Sequence, residues 1–226
     1  MAVDKNVNHR SPGRPRSERA DDAILAAAIN LLIDRGVGET SIEKVAQQAG
    51  VTRATVYRRF ADKTELLVRA IGWEYRDQEP GLLEWADIDS MLTDWGDYLS
   101  QTRHRRLLRR LYGSVDDYPE LLQSYGKASG EQRTRAVHTV LQRAVDKGQF
   151  PADSDVDIIL QMLSGAILYH LGTYPDNVSA DDIKAYLAAL LRQAGHQPAQ
   201  SRPSKPAKSP ARKTRGHQTA ARSTPS

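Results

Sequence analysis

Apolar residues recur at three- and four-residue steps along most of this chain, and no clean strand alternation or internal repeat interrupts them. Ile24, Leu25, Ala28, Leu31 and Leu32 set the pattern in a helix running from near Glu18 to "RGVGET", where Gly36 and Gly38 suit a C-terminal cap and turn. Thr40 or Ser41 can N-cap a short second helix with Ile42, Val45, Ala46 and Ala49 on its inner face, ending at Gly50. Thr52 caps a third through Phe60, and Asp62 a longer fourth carrying Leu66, Leu67, Ala70 and Ile71. Two short helices joined by a tight glycine-containing turn make a helix-turn-helix. Further along, the spacing predicts helices over 88–102, 103–115, 119–147, 156–172 and 180–194, separated by "QEPG", "YGSVDDYP", "KGQFPADSD" and "TYPDNVS". The expected fold is all-α.

The two ends break the pattern. Residues 1–16 ("MAVDKNVNHRSPGRPR") read as a flexible basic arm. From residue 196 onward Pro, Ser, Ala, Lys and Arg dominate without large apolar residues, so 196–226 is expected to be a disordered basic tail. Between them lie an expected helix-turn-helix domain over 17–62 and a helical effector-binding and dimerisation domain over 63–195.

Charge sharpens this division. The net charge of +4 is small. Residues 1–70 carry 12 basic and 9 acidic side chains, residues 71–196 carry 13 and 19, and the last thirty carry seven and none. A nucleic-acid argument must therefore come from local arrangement. The chain has no cysteine, which excludes disulfides and thiolate-based metal chemistry. No run approaches the roughly 18–20 apolar residues that cross a bilayer, and the N-terminus lacks a signal-peptide core, so the expectation is a soluble cytoplasmic protein with no membrane partner. The six histidines show no metal-binding spacing, and there is no Gly-x-Ser-x-Gly elbow or phosphate-binding glycine loop. Neither enzymatic activity nor a metal or cofactor is expected.

In a helix-turn-helix the second helix enters the major groove while the first braces it across the backbone. Ala46 is small enough for the helix crossing, Gly50 permits the turn, and Val51 and Val56 pack inward. Left outward are Arg53 and Thr55, suited to base edges, with Tyr57 and Arg58, suited to phosphates. Lys63 adds charge near the start of the next helix. Thr40, Ser41, Thr52 and Ala54 complete the candidate DNA-binding set on this domain. Arg14 and Arg16 of the arm either enter the minor groove or stay in solvent. The tail either holds DNA non-specifically or solubilises the chain.

Residues 18–67 resemble the DNA-binding domain of the TetR family of transcriptional regulators. The run "ILAAAINLLIDRGVGETSIEKVAQQAGVTRATVYRRFADKTELL" carries the family's spacing at Gly36–Thr40 with Ile42, Ala46–Thr52, Val56–Tyr57, Phe60 and Lys63–Leu66. Many members have glycine where this chain has Ala54, which bears on which bases are read. The resemblance implies a helical homodimer that binds double-stranded DNA and whose C-terminal domain takes a small-molecule effector. The expected function is a repressor on a pseudo-palindromic operator, released by that effector. A sequence-tolerant architectural DNA-binding protein using the basic arm and tail is the alternative.

The last two helices are the candidate dimer surface, through Ile159, Met162, Leu163, Ala166, Ile167, Leu187, Leu190 and Leu191; by pattern alone these residues could equally form a core within one chain. Candidate effector contacts are Trp73, Trp95, Tyr98, Leu99, Tyr112, Leu122, Tyr125, His138 and Leu141, although aromatics at helical spacing also build cores. In "TRHRRLLRRLYG", Arg103, Arg106 and Arg110 share one face and are expected to pair with acidic residues, dock an acidic effector, or pass strain to the DNA-binding domain.

Overall fold

The computed structural model describes residues 14–77 and 83–198, with side chains placed from residue 18 onward. Among the described residues every regular element is helical: α1 (Arg14–Arg35), α2 (Ile42–Ala49), α3 (Arg53–Tyr57), α4 (Lys63–Glu74), α5 (Ile88–Ser100), α6 (Thr102–Tyr112), α7 (Pro119–Tyr125), α8 (Glu131–Asp146), α9 (Val156–Thr173) and α10 (Ala180–Gln193). Side-chain caps fix many of the starts. Ser41, Thr52, Asp62, Asp87 and Ser179 each accept a bond from the backbone N–H three residues on, satisfying a donor that the first helical turn leaves free. The helix expected over 119–147 runs through as α7 and α8, joined by a widened π-helical turn at Gly126–Gly130.

The chain ends depart from expectation in detail. Helix α1 begins at Arg14, so the backbone of 14–16, assigned to the arm from sequence, is helical. The rest of the arm, 1–13, and the tail from 199 lie outside the described residues. His196 and Gln197, assigned to the tail, belong to the body. The His196 ring lies 5.0 Å from that of Phe150, and the Gln197 N–H donates to the Gln149 carbonyl at 2.8 Å.

Apolar side chains gather into two cores. The first joins α1, α2, α3 and α4, with Leu107 and Leu111 of α6 and Leu121 of α7 completing it. Leu66, Leu67, Ala70 and Ile71 of α4 lie inside this core, so the boundary expected at 62/63 cuts through it, and the packing unit extends to Tyr75. The second core joins α5, α8, α9 and α10 and receives Leu108 of α6. Helices α5 and α10 approach so closely that a Cβ added at Gly96 would lie 2.6 Å from the Ala180 carbonyl oxygen, a contact only glycine avoids. Helix α6 thus inserts leucines of adjacent faces into both cores.

Candidate functional site

The geometry of the head begins at Gly50. Its φ of 66° turns the chain between α2 and α3, and the Val51 N–H donates to the Ala46 carbonyl at 3.0 Å to close the turn. Buried Ala46 and Val56 set the helix crossing, as the sequence predicts. What stays outward is one continuous face: Thr52, Arg53, Ala54, Tyr57 and Arg58 are exposed, and Thr55 is half-buried with its hydroxyl 2.9 Å from that of Thr52. Arg59 turns inward instead, donating to Asp21 of α1 and to the Thr55 carbonyl, which locks α3 to the rest of the head. Arg53 pairs with Glu43 of α2 at 2.6 Å. The Glu43 carboxyl is held below its usual range by its own backbone N–H, by Ser41 and, less strongly, by Arg53.

The structure gives other sequence candidates different duties. Thr40 is 1 % exposed, and its hydroxyl donates to the Gly36 carbonyl at 2.8 Å. It pins the turn after α1 and presents nothing to a phosphate. Ser41, half-buried, is the cap of α2. The Lys63 ammonium donates to the Val37 carbonyl at 3.1 Å and lies 5.2 Å from the centre of the Tyr118 ring, so it ties the head together before it offers charge to DNA. Arg14 and Arg16 sit on the first turn of α1, with side chains outside the described residues.

A cavity of about 150 Å³ lies in the body between α5, α6, α8 and α9, with Tyr125 and Gly130 at the two ends of the π-helical turn in its wall. Trp95, Tyr98, Leu99, Tyr112 and Tyr125, all expected contacts, line it. The other expected contacts do not. The Trp73 indole donates to Asp22 at 2.7 Å and Leu122 packs on the head core, Leu141 is buried in the second core, and exposed His138 stands 3.6 Å from Asp157. Each lies on an amphipathic helix but faces another neighbour. Missed by sequence reasoning were Leu108, Arg133, Thr134 and Val137, together with Leu160, Ser164, Ile167, Leu168 and Leu171 of α9. The Tyr98 hydroxyl meets that of Tyr75 at 3.0 Å, and the Tyr75 and Tyr125 rings lie 5.4 Å apart. Burial pushes all three phenols upward, so they stay neutral. Because Tyr75 belongs to the head core and the other two line the cavity, this tyrosine cluster forms one direct link between the regions.

Helix α6 forms the other. Arg103 grips the Glu74 carboxylate with two bonds, at 2.7 and 2.8 Å, and reaches Asn30 of α1 at 2.8 Å. Arg110 donates to the Ile33 and Asp34 carbonyls, satisfying acceptors left open at the end of α1. On the body side, Arg106 and Arg109 hold Asp176 at 3.0 and 2.6 Å. Burial pulls the Asp176 pKa up, but the bonds from Arg109 and Arg106 outweigh it and hold the carboxyl below its usual range. Arg105, 0 % exposed, donates to the His170 and Tyr174 carbonyls and to His170 Nδ1 at 3.2 Å. Since arginine only donates, His170 Nδ1 is the acceptor there; burial and then Arg105 hold that imidazole below its ordinary pKa. Of the α6 arginines expected to pair with acidic residues, Arg103 and Arg106 do so, whereas Arg110 caps the end of α1 through backbone carbonyls.

Helix α9 is apolar nearly all round. Ile159, Leu163, Leu187 and Leu191, expected at a dimer surface, are buried in the second core of their own chain. Ala166, Ile167 and Leu190 are half-buried. Met162 does face outward, together with Ile158, Gly165, Leu168 and Tyr169, and Ile158, Met162, Gly165 and Tyr169 recur on one helix face. By length and composition alone α9 could cross a bilayer, whereas the sequence analysis expected no run of that length. Only 28 % of it is buried.

Residues 24–70 match the family described as bacterial regulatory proteins, tetR family, and residues 84–199 match that described as tetracyclin repressor-like, C-terminal domain. The chain is 24 % identical over 170 residues to the uncharacterized HTH-type transcriptional regulator YdeS of Bacillus subtilis, covering 74 % of this chain and 85 % of that protein. It is 36 % identical over 78 residues to the HTH-type transcriptional repressor BepR of Brucella suis, covering 34 % of this chain and 37 % of BepR. Its fold is similar to that of MexZ of Pseudomonas aeruginosa, described as a key repressor responsible for antibiotic resistance. The TM-score is 0.60 at 23 % identity, covering 80 % of this chain and 97 % of MexZ.

Proposed function

The chain belongs to the tetR family of bacterial regulatory proteins, and from that premise we propose that it is a cytoplasmic, sequence-specific repressor that binds DNA as a homodimer and is released by a small molecule held in the body cavity. The observation that carries this reading is the arrangement of α6. It packs into both cores and reaches α1 and α4 through Arg103 and Arg110, while Leu108 and Tyr112 line the cavity. Occupancy of the cavity can therefore bias the angle of the head without any contact between ligand and DNA.

In this reading the face from Thr52 to Arg58 enters the major groove. Arg53 leaves Glu43 for a base edge while Tyr57 and Arg58 hold phosphates. The exposed side of α9 pairs with its copy about a two-fold axis, giving two heads and a pseudo-palindromic operator with half-sites roughly 34–36 Å apart or a multiple of that. The α9 face supports the pairing because an apolar stripe of this kind calls for cover. Met162→Asp places a charge in the middle of that stripe. Sedimentation should then report a monomer, and affinity for a symmetric site should fall while affinity for a half-site holds. A variant that stays dimeric would move the interface elsewhere.

A further inference from the structure

The effector's chemical class can be narrowed from the polar groups of the cavity, on the footing that the cavity is the effector site. Its lining is apolar and aromatic apart from a few groups, and the charged one among them is Arg133. That side chain is 16 % exposed; its guanidinium lies 4.3 Å from the centre of the Tyr98 ring, and Nη1 donates to Asp94 at 3.1 Å. Its Nε, also buried, meets no acceptor among the described residues. Neither does the indole N–H of Trp95, another lining residue. A buried donor without an acceptor costs free energy that a suitable ligand recovers. Both unpaired groups are donors, so the complementary ligand brings acceptors.

Charge and volume narrow it further. Arginine presents five N–H donors in a planar fork that matches a carboxylate, and Asp94 engages Nη1. A cationic ligand would meet the guanidinium across an apolar wall, where repulsion is poorly screened. About 150 Å³ is the size of an engineered apolar cavity that accepts benzene, and smaller than the roughly 300–1,000 Å³ of sites for drug-sized molecules. We propose that the cavity takes a small monoanionic acid with a single-ring apolar body, its carboxylate on Arg133 and its ring among Tyr98, Leu108 and Val137.

The test titrates the full-length protein with benzoate, phenylacetate and 3-phenylpropionate, each beside its neutral amide, by calorimetry and by tryptophan fluorescence. The acids should bind about ten-fold or more tightly than their amides, as one charge-assisted pair supplies. Arg133→Met should abolish that preference, weakening the acids about ten-fold more than the amides. Asp94→Asn, which removes the competing carboxylate and leaves Arg133 in place, should tighten the acids alone; it keeps the test decisive if Arg133→Met misfolds. Equal binding of acids and amides, or indifference of the acids to both substitutions, would overturn the proposal and leave the effector cavity standing. Binding of no probe, acid or amide, would overturn the cavity reading as well.

Discussion

Thr40→Val separates a folding role from a DNA-contacting one at a position where sequence spacing suggests the second. Valine keeps the branched shape and volume of threonine and removes only the hydroxyl. In the structure that hydroxyl donates to the Gly36 carbonyl at 2.8 Å in a setting 1 % open to solvent, and Gly36 holds a φ of 83°. Removing one partner of a buried hydrogen bond leaves the other unsatisfied, at a cost of about 1–3 kcal/mol. For a chain of this size each kcal/mol shifts the melting temperature by roughly 2–4 °C, so a fall of several degrees is expected. Thermal denaturation followed by circular dichroism suffices, at one fixed protein concentration because the proposed dimerisation would make the melting point depend on it. DNA affinity measured well below the transition should be unchanged. An unaltered melting point with weakened DNA binding would refute the reasoning and return Thr40 to the DNA-contacting face.

Other expectations follow from equally local features. Arg53→Ala should weaken a selected site by about 1–3 kcal/mol and relax one base position, measured by mobility shift on site variants; equal loss on random DNA would assign Arg53 to the backbone. Gly96→Ala should destabilise by about 1–3 kcal/mol in chemical denaturation, because its Cβ would fall 2.6 Å from a backbone oxygen that cannot swing away; an unchanged midpoint would show that α5 and α10 slide freely. Asp176→Asn should cost about 1–3 kcal/mol at neutral pH. Since the folded-state pKa of Asp176 is lowered, its contribution is fully present above the ordinary aspartate value of 3.8 and lost as pH falls through the folded value. Wild type and variant should therefore converge in stability at acid pH, and a gap that persists there would contradict the ion-pair account.

The elements themselves were legible because their signals are local. Ser41, Thr52 and Asp62 announce helix starts, and Gly50 announces the turn, since each acts within three residues of itself. What periodicity does not encode is which neighbour a face meets. Trp73 and Tyr98 both occupy apolar helical positions, yet one packs on the head and the other lines the cavity. On α9, apolar on several faces, Leu163 and Met162 adjoin in sequence and point respectively into the chain's own core and out of it. Arg133 had a signal that was passed over. It stands four residues before Val137 and seven before Val140 on the buried face of α8, where an arginine is out of place unless paired. Arg105, three residues before Leu108 on α6, is the same case.

The claim on which the rest depends is that the face from Thr52 to Arg58 reads a specific site as one of a symmetric pair. Selection of bound duplexes from a random DNA pool, using the full-length protein at near-physiological salt, tests it most directly. The account predicts enrichment of a two-fold symmetric consensus whose half-site positions respond to Arg53→Ala. Binding without any consensus would contradict it and favour a sequence-tolerant architectural protein acting through its basic ends.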